Sequence, residues 1–484
     1  MKNLTLTGYI RSMKKMINTH LFVQGKDLKI QEILQMLNRF KKSQILVTDC
    51  THDLKFIKKI IMKIFTIRCR AKVEKYELNS LMLIRNSAII TKEALSSIAV
   101  VVAEKNQKIL IYGDSIVKTN RKKQYWYEAR PEWSPIFFNS HDFLGDVIFV
   151  TNQENYIVAD NNLESIISLN LNDNAVKKVR IDFAITKRES KSNNILGVPK
   201  LKAPDRVLTK LSPSFRSEKV DEKFTIIIPT KFAKNEKDED FIAICLKSIE
   251  QKALKFNFNV ILTFNIQYEK EYKNLLEHNN YSFRISKFTY TSNKFNFATT
   301  INRGVREALD EFILILNDDV YFESKFDFEC PLRHLMSDTI GTVGVRLLYP
   351  TQKIQHAGIY FENRTPQHWL YGSSIKYIPE SHNFCREVSG STGAFLFFRK
   401  SVFEKVGGID EKFGLDYNDV ELCLKMNYLG YQNILCADII GYHLESGTRE
   451  KREVGKIEEE VNRIRQKYEI RSRDPFMYTP ADRS

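Results

Sequence analysis

Short apolar runs alternate with amphipathic stretches in the second half of the chain. Residues 224–228 form a continuous apolar run that ends at Pro229 and Thr230, as a buried parallel strand does where it enters a loop. The pattern then predicts a helix over 241–252, a strand over 259–263, a helix over 298–309 and a strand over 312–316. Strands that alternate with helices predict a doubly wound, mostly parallel α/β sheet, whose ligands bind beyond the carboxyl ends of the strands. The loops after the three strands should therefore meet at one crevice.

The first half of the chain has a weaker pattern of the same kind. Residues 8–22 place apolar side chains on one helical face and basic ones opposite, which predicts an amphipathic helix. Such a helix either covers its own core or lies on an anionic membrane surface. A strand at 44–48, a helix carrying Ile57 to Ile64, a strand at 81–84 and a helix from about Lys92 indicate a smaller α/β domain.

Changes in composition suggest the domain boundaries. We expect an N-terminal segment over 1–29, a small domain over 30–185, a charged linker rich in Ser and Pro over 186–223 and a larger domain over 224–450. Residues 451–484 form a tail whose apolar positions predict an amphipathic helix. That helix either packs back on the larger domain or pairs with a second copy as a short coiled coil.

Length, charge and cysteine content narrow the class of protein. A chain of 484 residues exceeds one ordinary domain, and its net charge of +15 favours anionic partners such as phosphorylated small molecules or an anionic membrane face. No arginine-rich tail appears, so nucleic acid is not an expected partner.

The seven cysteines form no C-x-x-C pair, which suits a reducing compartment and argues against zinc. No apolar run is long enough to span a membrane, so we expect a cytoplasmic protein, either free or peripheral on the inner membrane face.

Two carboxylates follow the third predicted strand, in the sequence Asn317-Asp318-Asp319. Oxygen ligands at the end of a buried strand suit Mg²⁺ or Mn²⁺, which also bind a diphosphate. The alternative is that the two aspartates only cap a turn, since Asn and Asp are favoured after strands.

The stretch 224–450 resembles family 2 glycosyltransferases of the GT-A fold. The resemblance is carried by FTIIIPT, by FNFATTINRGVREALDEFILILNDDV with its D-x-D-like end, by GTVGVRLLYPTQKIQHAG, by GSTGAFLFFRKSVFEKVGGIDEKFGLDYNDVELCLKM and by GYHLESGTRE. The order of these motifs is similar to that in the second catalytic domain of tandem bacterial surface-polysaccharide glycosyltransferases. This resemblance implies a metal-dependent enzyme that uses a nucleotide-sugar donor.

The resemblance also implies roles for individual residues. Asp319, Asp318 and His443 are the expected ligands of a Mn²⁺ or Mg²⁺ ion, and Asp419 is the expected catalytic base, with helix N-capping as its structural alternative. The residues expected to contact the donor are Pro229, Thr230, Asn265, Asn302, Asn317, Asp318 and Gly393. Phe264 stands where the family usually has an Asp that recognises the nucleotide base; a Phe ring could stack on that base but cannot accept its hydrogen bond.

We therefore expect an inverting glycosyltransferase that acts on a hydroxyl of a glycan, of surface-polysaccharide type, or of a protein. The alternative is a catalytically inactive glycan-binding or scaffolding protein with a GT-A fold. The N-terminal half also resembles the family, but Arg85, Asn86, Ser87 and Ala88 stand where the related tandem enzymes have carboxylates. Because these side chains cannot replace carboxylates around a cation, we expect a degenerate GT-A-like domain without transferase activity.

Overall fold

The described part of the chain forms two compact units in the computed structural model. The described residues are 19–23, 77–84, 89–90, 109–118, 125–128, 131–140, 147–157, 177–189 and 222–477, the last range with gaps at 254–255, 292–294, 324–325, 379, 414–415, 446–453 and 472–473. The first unit comprises Met1–Trp133, Asp142–Leu211 and Thr479–Ser484, and the second comprises Ser134–His141 and Ser212–Tyr478. The segment Ser134–His141, which composition placed in the first domain, thus belongs to the second unit.

The first unit contains a seven-stranded mixed sheet. Its strands are β1 (Thr19–Val23), β2 (Glu77–Ile84), β3 (Ile89–Ile90), β4 (Ile109–Lys118), β5 (Tyr125–Glu128), β6 (Val147–Ile157) and β7 (Lys177–Glu189). They run in the order β1-β2-β6-β4-β7-β3, and β5 pairs with β4. The predicted strand at 81–84 is confirmed within β2. The helix predicted over 8–22 is wrong at its end, because Thr19–Val23 pairs with β2 as a parallel strand. Residues 8–18, 44–48, 57–64, 85–88 and the helix from Lys92 lie outside the described residues.

The second unit contains a ten-stranded sheet and a separate sheet of two strands. Its strands are β8 (Phe224–Pro229), β9 (Phe258–Asn265), β10 (Arg284–Tyr290), β11 (Phe312–Leu316), β12 (Val320–Tyr321), β13 (Ile340–Leu348), β14 (Ile354–His356), β15 (Ile359–Glu362), β16 (Thr365–His368), β17 (Arg386–Val388), β18 (Phe395–Arg399) and β19 (Gln432–His443). The separate sheet consists of β15 and β16. Its helices are α1 (Pro135–Ser140), α2 (Phe241–Ala253), α3 (Glu269–His278), α4 (Phe297–Glu307), α5 (Glu329–Leu335), α6 (Lys400–Lys405), α7 (Asn418–Tyr428) and α8 (Val454–Lys467).

The ten-stranded sheet of this unit is mostly parallel. Its order is β10-β9-β8-β11-β18-β13-β19-β12, with β14 paired to β13 and β17 paired to β19. Strands β8, β9, β10 and β11 are mutually parallel, and β13 and β19 run in the same direction across the antiparallel strand β18. The predicted α/β class and largely parallel sheet are confirmed, whereas the antiparallel strands were not predicted.

Helices cover both faces of this sheet. Successive side chains of a strand point to opposite faces, so each central strand contributes apolar side chains to both layers. Ile226 and Leu314 pack on one face with residues of α2 and α5, whereas Ile227 and Ile313 pack on the other with residues of α4, α6 and α7. Burial on both faces explains why β8 and β11 are continuous apolar runs in the sequence. Within the described residues, no helix is both long and apolar enough to cross a membrane.

The helix α1 joins the second unit through its amino end. The buried carboxylate of Glu387, in β17, accepts hydrogen bonds from the backbone N–H groups of Ile136 (3.0 Å) and Phe137 (3.3 Å). The guanidinium of Arg386 lies 3.8 Å from the centre of the Phe137 ring. Burial raises the pKa of Glu387 to about 6, although the two N–H groups act in the opposite direction.

The C-terminal helix α8 packs back on the second unit, which confirms the first of the two predicted arrangements. Ile464 and Tyr468 lie in one apolar cluster with Phe413 and Val420. The buried carboxylate of Glu421, in α7, accepts hydrogen bonds from the Tyr468 hydroxyl (2.7 Å) and from Lys467 Nζ (2.7 Å).

We predict that Tyr468→Phe destabilises the second unit by about 1–3 kcal/mol, because the buried Glu421 carboxylate loses a hydrogen-bond donor. Urea unfolding followed by circular dichroism measures this change. The matched control is Tyr428→Phe, at a side chain that is 80% exposed, and it should change the free energy of unfolding by less than about 0.5 kcal/mol. Equal effects of the two substitutions would contradict this account of α8.

Candidate active site

Three parallel strands end beside one another at the carboxyl edge of the large sheet. The backbone N–H of Thr230, which follows β8, donates to the carbonyl of Thr263 in β9 (2.9 Å). The hydroxyl of Thr230 donates to Asp318 Oδ2 (2.7 Å), which follows β11. The sequence prediction that these strand ends meet is thus confirmed, and Thr230 is the residue that joins them.

Asp318 occupies an environment that disfavours its charge. Burial and the neighbouring carboxylate of Asp319 raise the pKa of Asp318 to about 7, although the Thr230 hydroxyl and backbone N–H groups lower it. A cation near both carboxylates would remove this penalty, because it would favour their charged forms.

Asp319 and His443 face each other across a short pair of strands. Val320 of β12 pairs with His443 at the end of β19, and the backbone N–H of Leu444 donates to the Asp319 carbonyl (3.1 Å). This pairing places His443 Nε2 3.0 Å from Asp319 Oδ1 and 3.4 Å from Asn317 Nδ2. Both Asp319 and His443 are buried.

These donor atoms fit a divalent cation. Ligand atoms in adjacent positions of an octahedron with bonds of about 2.1 Å lie about 3.0 Å apart, and the Asp319 Oδ1 to His443 Nε2 distance is 3.0 Å. A carboxylate with an imidazole suits Mn²⁺, and oxygen ligands suit Mg²⁺. The buried His443 Nδ1 has no hydrogen-bond partner among the described residues.

Asp419 lies in the first turn of α7 but is not its N-cap residue. The N-cap position is Tyr417, which has a left-handed backbone (φ 53°) and makes no side-chain cap. Asp419 Oδ1 accepts a hydrogen bond from the backbone N–H of Val420 in the first turn (2.8 Å), and Oδ2 accepts one from the backbone N–H of Gly393 (2.8 Å). The carboxylate therefore satisfies one N–H of the helix terminus and at the same time contacts the loop at Gly393.

The segment 392–394 connects the predicted catalytic residues. The carbonyl of Ala394 accepts from the Asn317 backbone N–H (3.0 Å), and the preceding residue, Gly393, contacts Asp419. The backbone N–H of Thr392 donates to His356 Nε2 (3.4 Å). One short loop therefore contacts both the D-x-D-like segment and the α7 aspartate, so the structure brings these distant residues together.

His356 is a buried histidine of this site that the sequence-based interpretation missed. Its Nε2 accepts from the backbone N–H groups of Gly358 (3.3 Å) and Thr392 (3.4 Å), and its Nδ1 lies 2.9 Å from His368 Nδ1. Burial, then His368 and His443, lower the pKa of His356 well below its usual value. No local sequence pattern indicates these contacts, because the N–H donors come from the turn at Gly358 (φ 103°) and from the distant loop at Thr392.

One expected donor contact, Asn302, and the ring of Phe264 have other partners in the structure. The Asn302 amide pairs with both backbone groups of Ile409, its Nδ2 donating (2.9 Å) and its Oδ1 accepting (2.9 Å). The Phe264 ring is fully buried between Phe232 and Tyr272, with ring centroids 5.2 Å away in each case. The expectation that Phe264 could stack on a base is thus wrong, because alternation along β9 turns this side chain into the core.

The remaining expected donor contacts lie at the carboxyl edge of the sheet. Asn265 is the last residue of β9, and its side chain accepts from the Gln267 N–H (3.1 Å). Pro229 ends β8 beside Thr263. Asn265 is therefore the side chain that leaves the core where β9 ends.

The family prediction can be compared directly with known proteins. Residues 225–407 match the model of glycosyl transferase family 2. Residues 225–407 thus form a family 2 glycosyltransferase domain. This match confirms the family that the sequence motifs indicated. It covers β9, β11, the D-x-D-like segment and the Gly393 loop, whereas Asp419 and His443 lie beyond it.

Two curated relatives align with the chain over 233 residues each. The uncharacterized protein y4gI of Sinorhizobium fredii (strain NBRC 101917 / NGR234) is 27% identical, over 46% of this chain and 25% of its own length. The O-antigen biosynthesis protein RfbC of Myxococcus xanthus is 28% identical, over 47% of this chain and 18% of its own length. The chain thus spans a quarter or less of the length of each of these two relatives. The crystal structure of GalNAc-T7 with UDP, GalNAc and Mn²⁺ superposes with a TM-score of 0.37 and 10% identity, over 47% of this chain and 44% of that one.

We predict that the buried His356 makes stability depend on pH. Its pKa is lower in the folded protein than in the unfolded chain, so the unfolded chain binds more protons below about pH 6.5 and stability falls as the pH falls. The free energy of unfolding should decrease by up to about 1 kcal/mol more between pH 6.5 and 5.5 in the wild type than in His356→Gln. Identical pH dependences in urea titrations would contradict this assignment.

Proposed function

We propose that the second unit transfers a sugar from a nucleotide-sugar donor to an acceptor hydroxyl, with inversion at the anomeric carbon and with the help of Mn²⁺ or Mg²⁺. The observation that most supports this proposal is a pair of contacts made by the loop 392–394. Gly393 contacts Asp419 of α7, and the next residue, Ala394, contacts Asn317 of the D-x-D-like segment. A candidate base and a candidate cation site therefore lie at the same edge of the sheet, where open α/β folds bind nucleotides.

Asp319 and His443 would hold the cation, with Asp318 beside them. Bound there, a divalent ion supplies positive charge that stabilises the diphosphate as it leaves the sugar. Thr230 positions Asp318 through its hydroxyl, and the pairing of Val320 with His443 fixes the distance between the two ligands. The elements that form the site are buried strands, so the ligand geometry is set before the donor binds.

Asp419 would act as the general base. The acceptor hydroxyl loses its proton to the carboxylate while its oxygen forms a bond to the anomeric carbon, and the bond from that carbon to the nucleotide diphosphate breaks. A single displacement inverts the configuration. The Gly393 N–H holds Asp419 Oδ2. The Val420 N–H holds Oδ1. Asp419→Asn removes the basicity but keeps one acceptor oxygen, so it preserves one of these two hydrogen bonds and the size of the side chain.

The acceptor is proposed to be a glycan of surface-polysaccharide type or a protein. The name of the Myxococcus relative, O-antigen biosynthesis protein, supports the glycan class. Asn265 is the candidate contact for the nucleotide base, since it leaves the core at the end of β9.

The first unit is proposed to be a degenerate GT-A-like domain without transfer chemistry, because Arg85, Asn86, Ser87 and Ala88 occupy the positions of the expected carboxylates. A cytoplasmic location, at or near an anionic membrane face, completes the proposal.

Removing the cation ligand should abolish metal-dependent turnover. We predict that Asp319→Ala lowers Mn²⁺-dependent hydrolysis of UDP-, dTDP- and GDP-sugars at least about 100-fold and weakens Mn²⁺ binding measured by calorimetry. The control Glu236→Ala, at an exposed carboxylate of the same unit, should leave both unchanged. If the wild type turns over none of these donors and Asp319→Ala binds nucleotides equally well, the inactive glycan-binding alternative is supported instead.

Removing the base while keeping the shape of its side chain should affect catalysis more than folding. We predict that Asp419→Asn lowers kcat by about 10²–10⁴-fold and leaves the Mn²⁺ affinity at its wild-type value. The free energy of unfolding should fall by about 1–3 kcal/mol, because one of two backbone N–H groups loses its acceptor. Steady-state kinetics with the donor that the wild type accepts measures the change. A kcat within twofold of wild type would exclude Asp419 as the base.

A further inference from the structure

Three cysteines and a histidine converge in the second unit, away from the proposed active site. The ligand atoms of Cys330, His334, Cys385 and Cys436 all lie within 4.8 Å of one another. Cys436 is buried and the other three are partly buried. The proposed catalytic mechanism uses none of these side chains.

The fold itself brings the four residues together. Cys330 and His334 are four residues apart on α5, so both project from one face of that helix. Arg386 of β17 pairs with Leu435 of β19 in an antiparallel register, which places the preceding Cys385 across from Cys436. Side chains directly opposite each other in such a ladder lie on the same face of the sheet. The helix α5 packs on β19, which completes the group.

The distances suit a shared tetrahedral ion better than a disulfide. Cys330 Sγ lies 3.6 Å from Cys436 Sγ. Two thiolates bound to Zn²⁺ at about 2.3 Å in a tetrahedron lie about 3.8 Å apart, whereas bonded sulfurs lie about 2.05 Å apart. Three sulfurs and one imidazole also form one of the usual ligand sets of structural zinc sites.

The charged residues near the cluster also favour a bound zinc ion. Arg346 is buried, and among the described residues its guanidinium donates only to neutral oxygens, those of Asn383 Oδ1 (2.6 Å) and the His382 carbonyl. It interacts electrostatically with Arg386 and with Asp438, whose Oδ1 lies 3.3 Å from Cys385 Sγ. A Zn²⁺ ion with three thiolates and a neutral imidazole carries a net charge of −1. Such a site would act together with Asp438 to balance the charge of the buried Arg346.

We propose that Cys330, His334, Cys385 and Cys436 bind one structural Zn²⁺ ion. The protein fills all four positions, so no open position is left for a substrate. On binding, the three thiols release their protons to solvent and no electron is transferred. The ion ties α5 to β17 and β19.

The zinc site is separate from the proposed catalytic cation. Cys436 pairs with Val345 of β13, whereas Tyr442, next to His443, pairs with Leu348, because β19 bulges between them. The two sites therefore lie at least three residues apart along β13, which corresponds to about 10 Å at about 3.3 Å per residue. The absence of a C-x-x-C pair led us to expect no zinc. That expectation rested only on the spacing of cysteines along the chain. In the structure, three separate elements supply the four side chains, so a C-x-x-C pair is not required.

Metal analysis of the full-length protein tests this inference. After expression in zinc-supplemented medium and extensive dialysis, elemental analysis should find one zinc per chain in the wild type and in Asp319→Ala. Cys385→Ser and His334→Ala should lose most of this zinc, whereas the buried control Cys423→Ser should keep it. Zinc bound equally by Cys385→Ser and by the wild type would overturn the assignment.

A second measurement on the wild type remains decisive if the variants do not fold. Mercurial titration of the thiols should release the zinc, and reconstitution with Co²⁺ should give the thiolate charge-transfer and visible bands of a tetrahedral site. A chelator that strips the zinc should lower the melting temperature. Folded wild-type protein with zinc far below one per chain and no tetrahedral Co²⁺ spectrum would overturn the proposal, as would a Cys330–Cys436 disulfide found by mass spectrometry.

Discussion

The pairing of two residues of β12 with the end of β19 is the constraint on which the site depends. Val320 pairs with His443, and the Leu444 N–H bonds the Asp319 carbonyl, so an imidazole from late in the chain is held against a carboxylate at the end of β11. Without this pairing, Asp318 and Asp319 would be two adjacent carboxylates that burial and mutual repulsion disfavour. The strand pairing therefore turns an unfavourable pair of charges into a set of donors suited to a divalent cation.

The loop 392–394 adds the second half of the site. Its backbone contacts His356, Asp419 and Asn317 in three successive residues. Because backbone groups make these contacts, they depend little on which side chains the loop carries. The family 2 match supports the interpretation of this arrangement as a glycosyltransferase site.

The sequence predicted the parts of this fold whose signal is local. Phe312–Leu316 is a strand within the predicted bounds, because a run of five apolar residues buried on both faces has few alternatives. Asn302 and Phe264 were assigned from their place in a motif, but their partners come from Ile409 and from neighbouring aromatic rings, which no local pattern encodes. His356 was missed because a single histidine after a mostly polar segment gives no sign of the backbone N–H groups, those of Gly358 and Thr392, that bind it. The Cys/His cluster was missed for the same reason, since the register of β17 against β19 creates it.

The most direct test of the central claim is to observe His443 bound to the cation. Pulsed electron paramagnetic resonance of the Mn²⁺-loaded protein detects the nitrogen of a directly coordinated imidazole. If His443 binds the cation, ¹⁴N coupling to Mn²⁺ is present in the wild type and is lost in His443→Leu, with the protein still folded. A Mn²⁺ ion that binds tightly but shows no nitrogen coupling, or the same coupling after His443→Leu, would contradict the claim.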